Sequence, residues 1–135
     1  MLHNEDDLLL LKDIVDCVLK ILNTMKGLTF YHYERNYEKK STIERQFEII
    51  GLASHRISKE TQELLNFIPW RQMIGLRNRI AHEYGEIKNS KIWNIAYESI
   101  PNLLIDLNKI DDIKDYIKTN LMKYKKLKDK YGGII

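Results

Sequence analysis

One cysteine, two prolines and six glycines are all that this 135-residue chain holds of the residues that cross-link or punctuate a fold. A lone Cys17 cannot close an intrachain disulfide, and no Cys and His residues recur at zinc-ligand spacing, so a reduced, cytosolic protein with no metal site and no cofactor is expected. No apolar run reaches the length that spans a membrane. The opening "MLHNEDDLLLLKD" is acidic and then briefly apolar, the wrong order of charge for a signal peptide, so neither export nor membrane insertion is expected. Charge of one sign is also scarce in excess: 22 Lys and Arg stand against 19 Asp and Glu, a net of +3 that neither demands nor excludes RNA. Repeats, low-complexity linkers and sustained apolar–polar alternation are missing too, which removes solenoids, tethered domains and sheets.

What is there is helical periodicity. The length suits one domain, 1–135, and 44% hydrophobic residues suffice for a core. Leu8, Leu11, Val15, Val18, Leu22 and Met25 recur at spacings of three and four, with Gly27 as a stop. Ile43, Phe47, Ile50 and Ile57 carry a second helix over about 38–57, and residues 28–37 read as a turn-rich connection. Ser58 is placed to cap a short helix through Leu65. Pro69 suits the first turn of a third long helix from Trp70. A fourth starts near Ser90 and aligns Ile92, Ala96, Ile100, Leu103 and Leu107, with an interior Pro101 that should bend it. Beyond Ile110 a lysine-rich helical tail, 110–135, packs Ile113, Ile117, Leu121 and Tyr124, keeps its lysines in solvent and ends at Gly132-Gly133. The prediction is an all-α, antiparallel four-helix bundle with a C-terminal helical extension.

The stretch "IGLRNRIAHEYGEI", residues 74–87, resists a reading as packing alone. Arg77 offers a fork of donors matched to phosphate oxygens, and a histidine such as His82 both takes and gives protons near neutrality. On a regular helix Asn78 and His82 share a face, whereas Arg77 and His82 diverge by roughly 140°. They converge on one ligand if His82 sits at a fraying helix end, which Gly85 favours, or if the ligand lies in a groove between them. Such a pair suits a phosphodiester rather than a metal. Cleaving RNA without metal takes a base, an acid and a cation to hold the charged phosphorane, and each chain supplies one motif histidine. A twofold homodimer bringing two copies of His82 to one groove would supply both proton-transfer groups. Taken singly, each residue has a plainer role: His82 as a helix cap, Arg77 as an ion-paired surface residue, Tyr84 as an aromatic covering the bundle end. Their joint spacing carries the weight.

The spacing Arg77, four residues, His82, one residue, Tyr84 resembles the R-x4-H-x-Y signature of HepT-like toxins in the HEPN superfamily, including the polar Asn78 after the arginine. "KGLTF" at 26–30, "IERQFEIIG" at 43–51, "IPWRQMIGLRNRIAHEYGEI" at 68–87 and "IWNIAYESIPNL" at 92–103 resemble that family's successive helices. The resemblance implies a homodimeric HEPN bundle that cuts RNA without metal, with Arg77, Asn78 and His82 catalytic. It also implies a minimal nucleotidyltransferase antitoxin as partner, which silences the toxin by adenylylating Tyr84. A competing function is a non-catalytic nucleotide- or partner-binding subunit of a nucleotidyltransferase complex, using the same groove only to hold phosphate. The lysine-rich stretch 118–130 and the run "YHYERNY" at 31–37 suggest, respectively, backbone tracking and base stacking on RNA, against solubility and core packing as the plainer roles.

Overall fold

The computed structural model describes residues 2–82 and 87–133. Its elements are α1 (Glu5–Met25), α2 (Phe30–Arg35), α3 (Tyr37–Arg56), α4 (Lys59–Leu64), α5 (Trp70–His82), α6 (Asn89–Asn94), a π-helical turn (Ile95–Ser99), α7 (Ile100–Leu107), α8 (Asp111–Leu121) and α9 (Lys125–Tyr131). Among the described residues there is no strand, and the all-α class expected from the periodicity is what the structure shows.

The helices begin where side-chain oxygens take up free backbone N–H groups. Asn4, Thr29, Asn36 and Ser58 cap α1, α2, α3 and α4 in turn. Gly27, at φ +75°, follows the end of α1 in the left-handed region that a side chain rarely adopts. The connection expected over residues 28–37 instead contains α2. Thr29 caps it, and Tyr33, fully buried, anchors it on α3. Six residues are too few to show a helical period, which is why the sequence reads there as a turn.

Directions follow from contacts. Asp7, early in α1, binds Ser58 and Thr61 just beyond the end of α3, so α1 and α3 are antiparallel. The Trp70 indole N–H, at the start of α5, donates to the carbonyls of Gln62 and Leu65, returning α5 along α3. At the other end Leu22 and Met25 of α1 share a cleft with Ala96 and Pro101, so α7 runs antiparallel to α1. The core is the stripe each long helix turns inward: Leu11, Ile14, Val18 and Ile21 from α1, Ile43, Phe47 and Ile50 from α3, and Leu103, Leu104 and Leu107 from α7. Each such side chain contributes about 1.5–3 kcal/mol of burial.

Pro101 is accommodated where the helical backbone runs without a break from α6 into α7. A prolyl ring crowds the carbonyl four residues back and offers no N–H, and here the preceding turn widens so that the Ile100 N–H bonds to the Ile95 carbonyl, five residues away. The tail also packs more fully than its lysines suggest. α8 and α9 both lie on α1, burying Ile113, Ile117, Leu121, Leu127 and Tyr131, with Tyr124 half-buried.

Candidate active site on the third long helix

α5 buries Trp70, Met73 and Ile80, which leaves one inward position in the 3–4–3 pattern, and Arg77 occupies it. The arginine is accommodated because Gly51 faces it from α3. A Cβ there would meet the Arg77 Cγ at 2.8 Å and the Met73 carbonyl oxygen at 2.9 Å. The two helices are in such close approach that only a hydrogen fits between the arginine stem and the α3 backbone.

Arg77 is therefore half-buried, not a solvated surface residue. Its Nε is buried with no hydrogen-bond partner among the described residues, while Nη1 donates to Asn78 Oδ1 at 3.1 Å. A buried cationic N–H left unmade is costly, about 1–3 kcal/mol or more for charged groups. An anionic oxygen is the acceptor that a guanidinium N–H suits best.

Asn78 is exposed and lines an open cleft of about 780 Å³ between α5 and α4, together with Lys59, Gln62, Arg71 and Gln72. His82 is exposed at the last residue of α5. The hydrogen bonds join Arg77 with Asn78, and among the described residues none joins His82 to either. Helical phase places Asn78 and His82 within roughly 40° of one another and turns Arg77 inward, its guanidinium reaching back round the helix. Tyr84 and Gly85 lie outside the described residues. His3, His32 and His55 are exposed, and Trp70 is a packing residue, as their places in the sequence suggest. No cluster of three His, Cys, Asp or Glu side chains able to hold a metal occurs among the described residues. No described helix is long and apolar enough to cross a membrane.

Gly51 is the site residue that reading the motif alone passes over. The signal was available: an isolated glycine inside a strong helical period, facing a helix whose buried stripe is interrupted by a cation.

Comparison with known proteins identifies a family. The family described as ribonuclease HepT-like matches residues 14–118. A protein of Methanocaldococcus jannaschii named "Putative RNase MJ1380" is 30% identical over 93 residues, 69% of this chain and 85% of that protein. "Putative RNase MJ1216" of the same organism is 30% identical over 105 residues, 78% of this chain and 85% of that protein. "Probable ribonuclease HepT" of Thermococcus cleftensis is 29% identical over 93 residues, 69% of this chain and 84% of that protein. No solved structure matches the chain. With the match spanning α5 and most of the bundle, the chain belongs to the HepT-like ribonuclease family of the HEPN superfamily.

Proposed function

We propose that the chain is a metal-independent RNA endonuclease, the toxin of a toxin–antitoxin pair, acting through Arg77, Asn78 and His82 in a groove formed by a homodimer. The observation that carries this reading is Arg77, its stem wedged against Gly51 and its Nε buried without a partner among the described residues, on the same helix that ends in an exposed His82. In the reaction the RNA 2′-oxygen attacks the adjacent phosphorus, and His82 of one copy takes its proton. The 5′-oxygen leaves with a proton from His82 of the second copy. Arg77 holds the non-bridging oxygens as negative charge accumulates on them. The products are a 2′,3′-cyclic phosphate and a free 5′-hydroxyl. Asn78, bonded to Arg77, keeps the fork turned toward the exposed face of α5.

Regulation is proposed to run through Tyr84. A minimal nucleotidyltransferase partner transfers adenylate to its hydroxyl, placing a phosphate and a bulky base two residues from His82, where they compete for Arg77 and block RNA entry.

The test is cleavage of RNA by purified protein in EDTA. Wild type is expected to yield cyclic phosphate ends, and His82→Ala to lower the rate by about a hundred- to ten-thousand-fold. Arg77→Lys keeps the charge but loses the fork, so it too should lose most activity. A His82→Ala protein that cuts at near wild-type rate overturns the assignment. An inactive wild type whose intact mass shows no adenylate would instead favour a subunit that binds nucleotide or its partner without cutting RNA.

A further inference from the structure

The family match ends at residue 118, so α9 and its lysines lie beyond the common core. α9 is nevertheless built into this fold. Leu127 and Tyr131 are 1% and 5% exposed, and both help to line a cleft of about 400 Å³ between the end of α1, the π-helical turn and α9. The cleft is rimmed by Lys26 and Lys130 and walled on one side by Tyr97, which is 66% exposed. Tyr97 is not loose: its ring stacks on Trp93 at 6.1 Å between centroids with 21° between planes. The Lys130 ammonium sits 5.4 Å from the Tyr131 ring centroid. An exposed aromatic stacked on a second ring, beside a cleft that two lysines also line, is what an unpaired base and its flanking phosphates require.

The cleft also lies at the right end of the bundle. α5 is antiparallel to α3, so from Arg77, opposite Gly51, the chain climbs roughly 7.5 Å toward the start of α3 before reaching His82. The start of α3 lies beside the end of α1, because those helices are antiparallel, and α2 packs there against α3 and α6. Lys26, Tyr97 and α9 therefore share one end of the bundle, and His82 lies on the way toward it, short of the start of α3, which is roughly 21 Å from Gly51. Residues 26–40 and 87–99, which build this end, hold six Lys and Arg against three Glu, and α9 adds Lys125, Lys126, Lys128 and Lys130 against Asp129. The basic excess of a nearly balanced chain is gathered at the end where the cleft opens.

We infer that the cleft between α1, the π-helical turn and α9 is a binding subsite for single-stranded RNA, in which Tyr97 stacks an unpaired base while Lys26 and Lys130 hold the phosphates on either side. The subsite deepens the ribonuclease reading and rests on it, selecting unpaired RNA for delivery to His82. Duplex RNA, whose bases are already stacked, cannot offer a base to Tyr97.

The experiment measures binding apart from cutting. Affinity of the full chain carrying His82→Ala for a fluorescein-labelled, unstructured RNA oligonucleotide is read by anisotropy across a salt series, beside a duplex of the same sequence. Adding Tyr97→Ala should weaken binding roughly five- to a hundredfold, with Tyr97→Phe close to the parent. Adding Lys26→Gln and Lys130→Gln together should lower the slope of log affinity against log salt by about 1.4, at about 0.7 per phosphate contact. Thermal melts of each variant establish that the fold is kept. Parent-like binding by folded Tyr97→Ala and Lys26→Gln/Lys130→Gln proteins overturns the subsite, as does equal affinity for duplex. If wild type cuts RNA while these variants bind normally, the subsite fails and the nuclease reading stands. If binding depends on them but wild type does not cut, the subsite stands and the nuclease reading fails.

Discussion

Gly51 and Arg77 occupy a gap between α3 and α5 too narrow for a side-chain carbon: the missing Cβ would stand 2.8 Å from the Arg77 Cγ. Alanine at this position would gain helix propensity, about 1 kcal/mol, but it also meets the Met73 carbonyl oxygen at 2.9 Å, and backbone cannot swing aside as a side chain can. The clash should win. Gly51→Ala is expected to lose about 1–3 kcal/mol in urea unfolding and to lower RNA cleavage further than the stability loss explains, because Arg77 is displaced. Unchanged kinetics in a folded Gly51→Ala protein would show that the close approach does not set the position of Arg77.

Asp7 ties the start of α1 to the turn that opens α4. Only 2% of it is exposed, and burial by itself would raise its carboxyl. Hydrogen bonds from the Ser58 hydroxyl, the Thr61 hydroxyl and the Ser58 backbone N–H outweigh that and hold it below the ordinary carboxylate value. A carboxyl lowered on folding stabilises the protein above its unfolded value of about 4, and the contribution fades as pH falls through the lower folded value. Asp7→Asn is expected to cost about 1–3 kcal/mol at neutral pH, with the gap from wild type closing in acid. Urea midpoints at both pH values check it.

Cys17 faces the core of α1, and its thiol is pushed up to about 12, by burial first and then by the neighbouring Asp16 and Asp13 carboxylates. Nucleophilic thiolate is therefore scarce at any working pH. A chromogenic disulfide reagent should label the native protein only at the rate at which it opens, and label it fully in denaturant. Rapid labelling of the native state would contradict the packing of α1.

α1 and α3 were legible because their apolar spacing runs over about five turns, and Ser58 and Gly27 mark ends where a side chain or a positive φ is required. α2 was not legible. Its anchor, Tyr33, is buried by α3 and by Trp93, more than fifty positions away, at 5.3 Å between ring centroids. The burial of α9 was hidden for a similar reason, since Leu127 and Tyr131 pack on α1 from a stretch whose composition is dominated by lysine. At the site, the spacing of Arg77, Asn78 and His82 was readable at once. That Arg77 takes a core position was not, because it depends on which residue of α3 stands opposite.

The signature places Tyr84 two residues beyond His82, and in the proposed mechanism its hydroxyl takes the adenylate and plays no part in proton transfer. Tyr84→Phe keeps the ring and removes only the oxygen that adenylate would occupy, so RNA cleavage should stay within about twofold of wild type, the small change usual for a substitution that leaves the reacting groups in place. Incubated with a minimal nucleotidyltransferase and ATP, wild type should gain an adenylate in its intact mass as the tyrosyl oxygen displaces pyrophosphate, and lose cleavage in proportion. The Tyr84→Phe protein should neither gain mass nor lose activity. Silencing of Tyr84→Phe without a mass change would mean that the partner blocks the groove by docking, and a mass gain on Tyr84→Phe would place the adenylate on another residue.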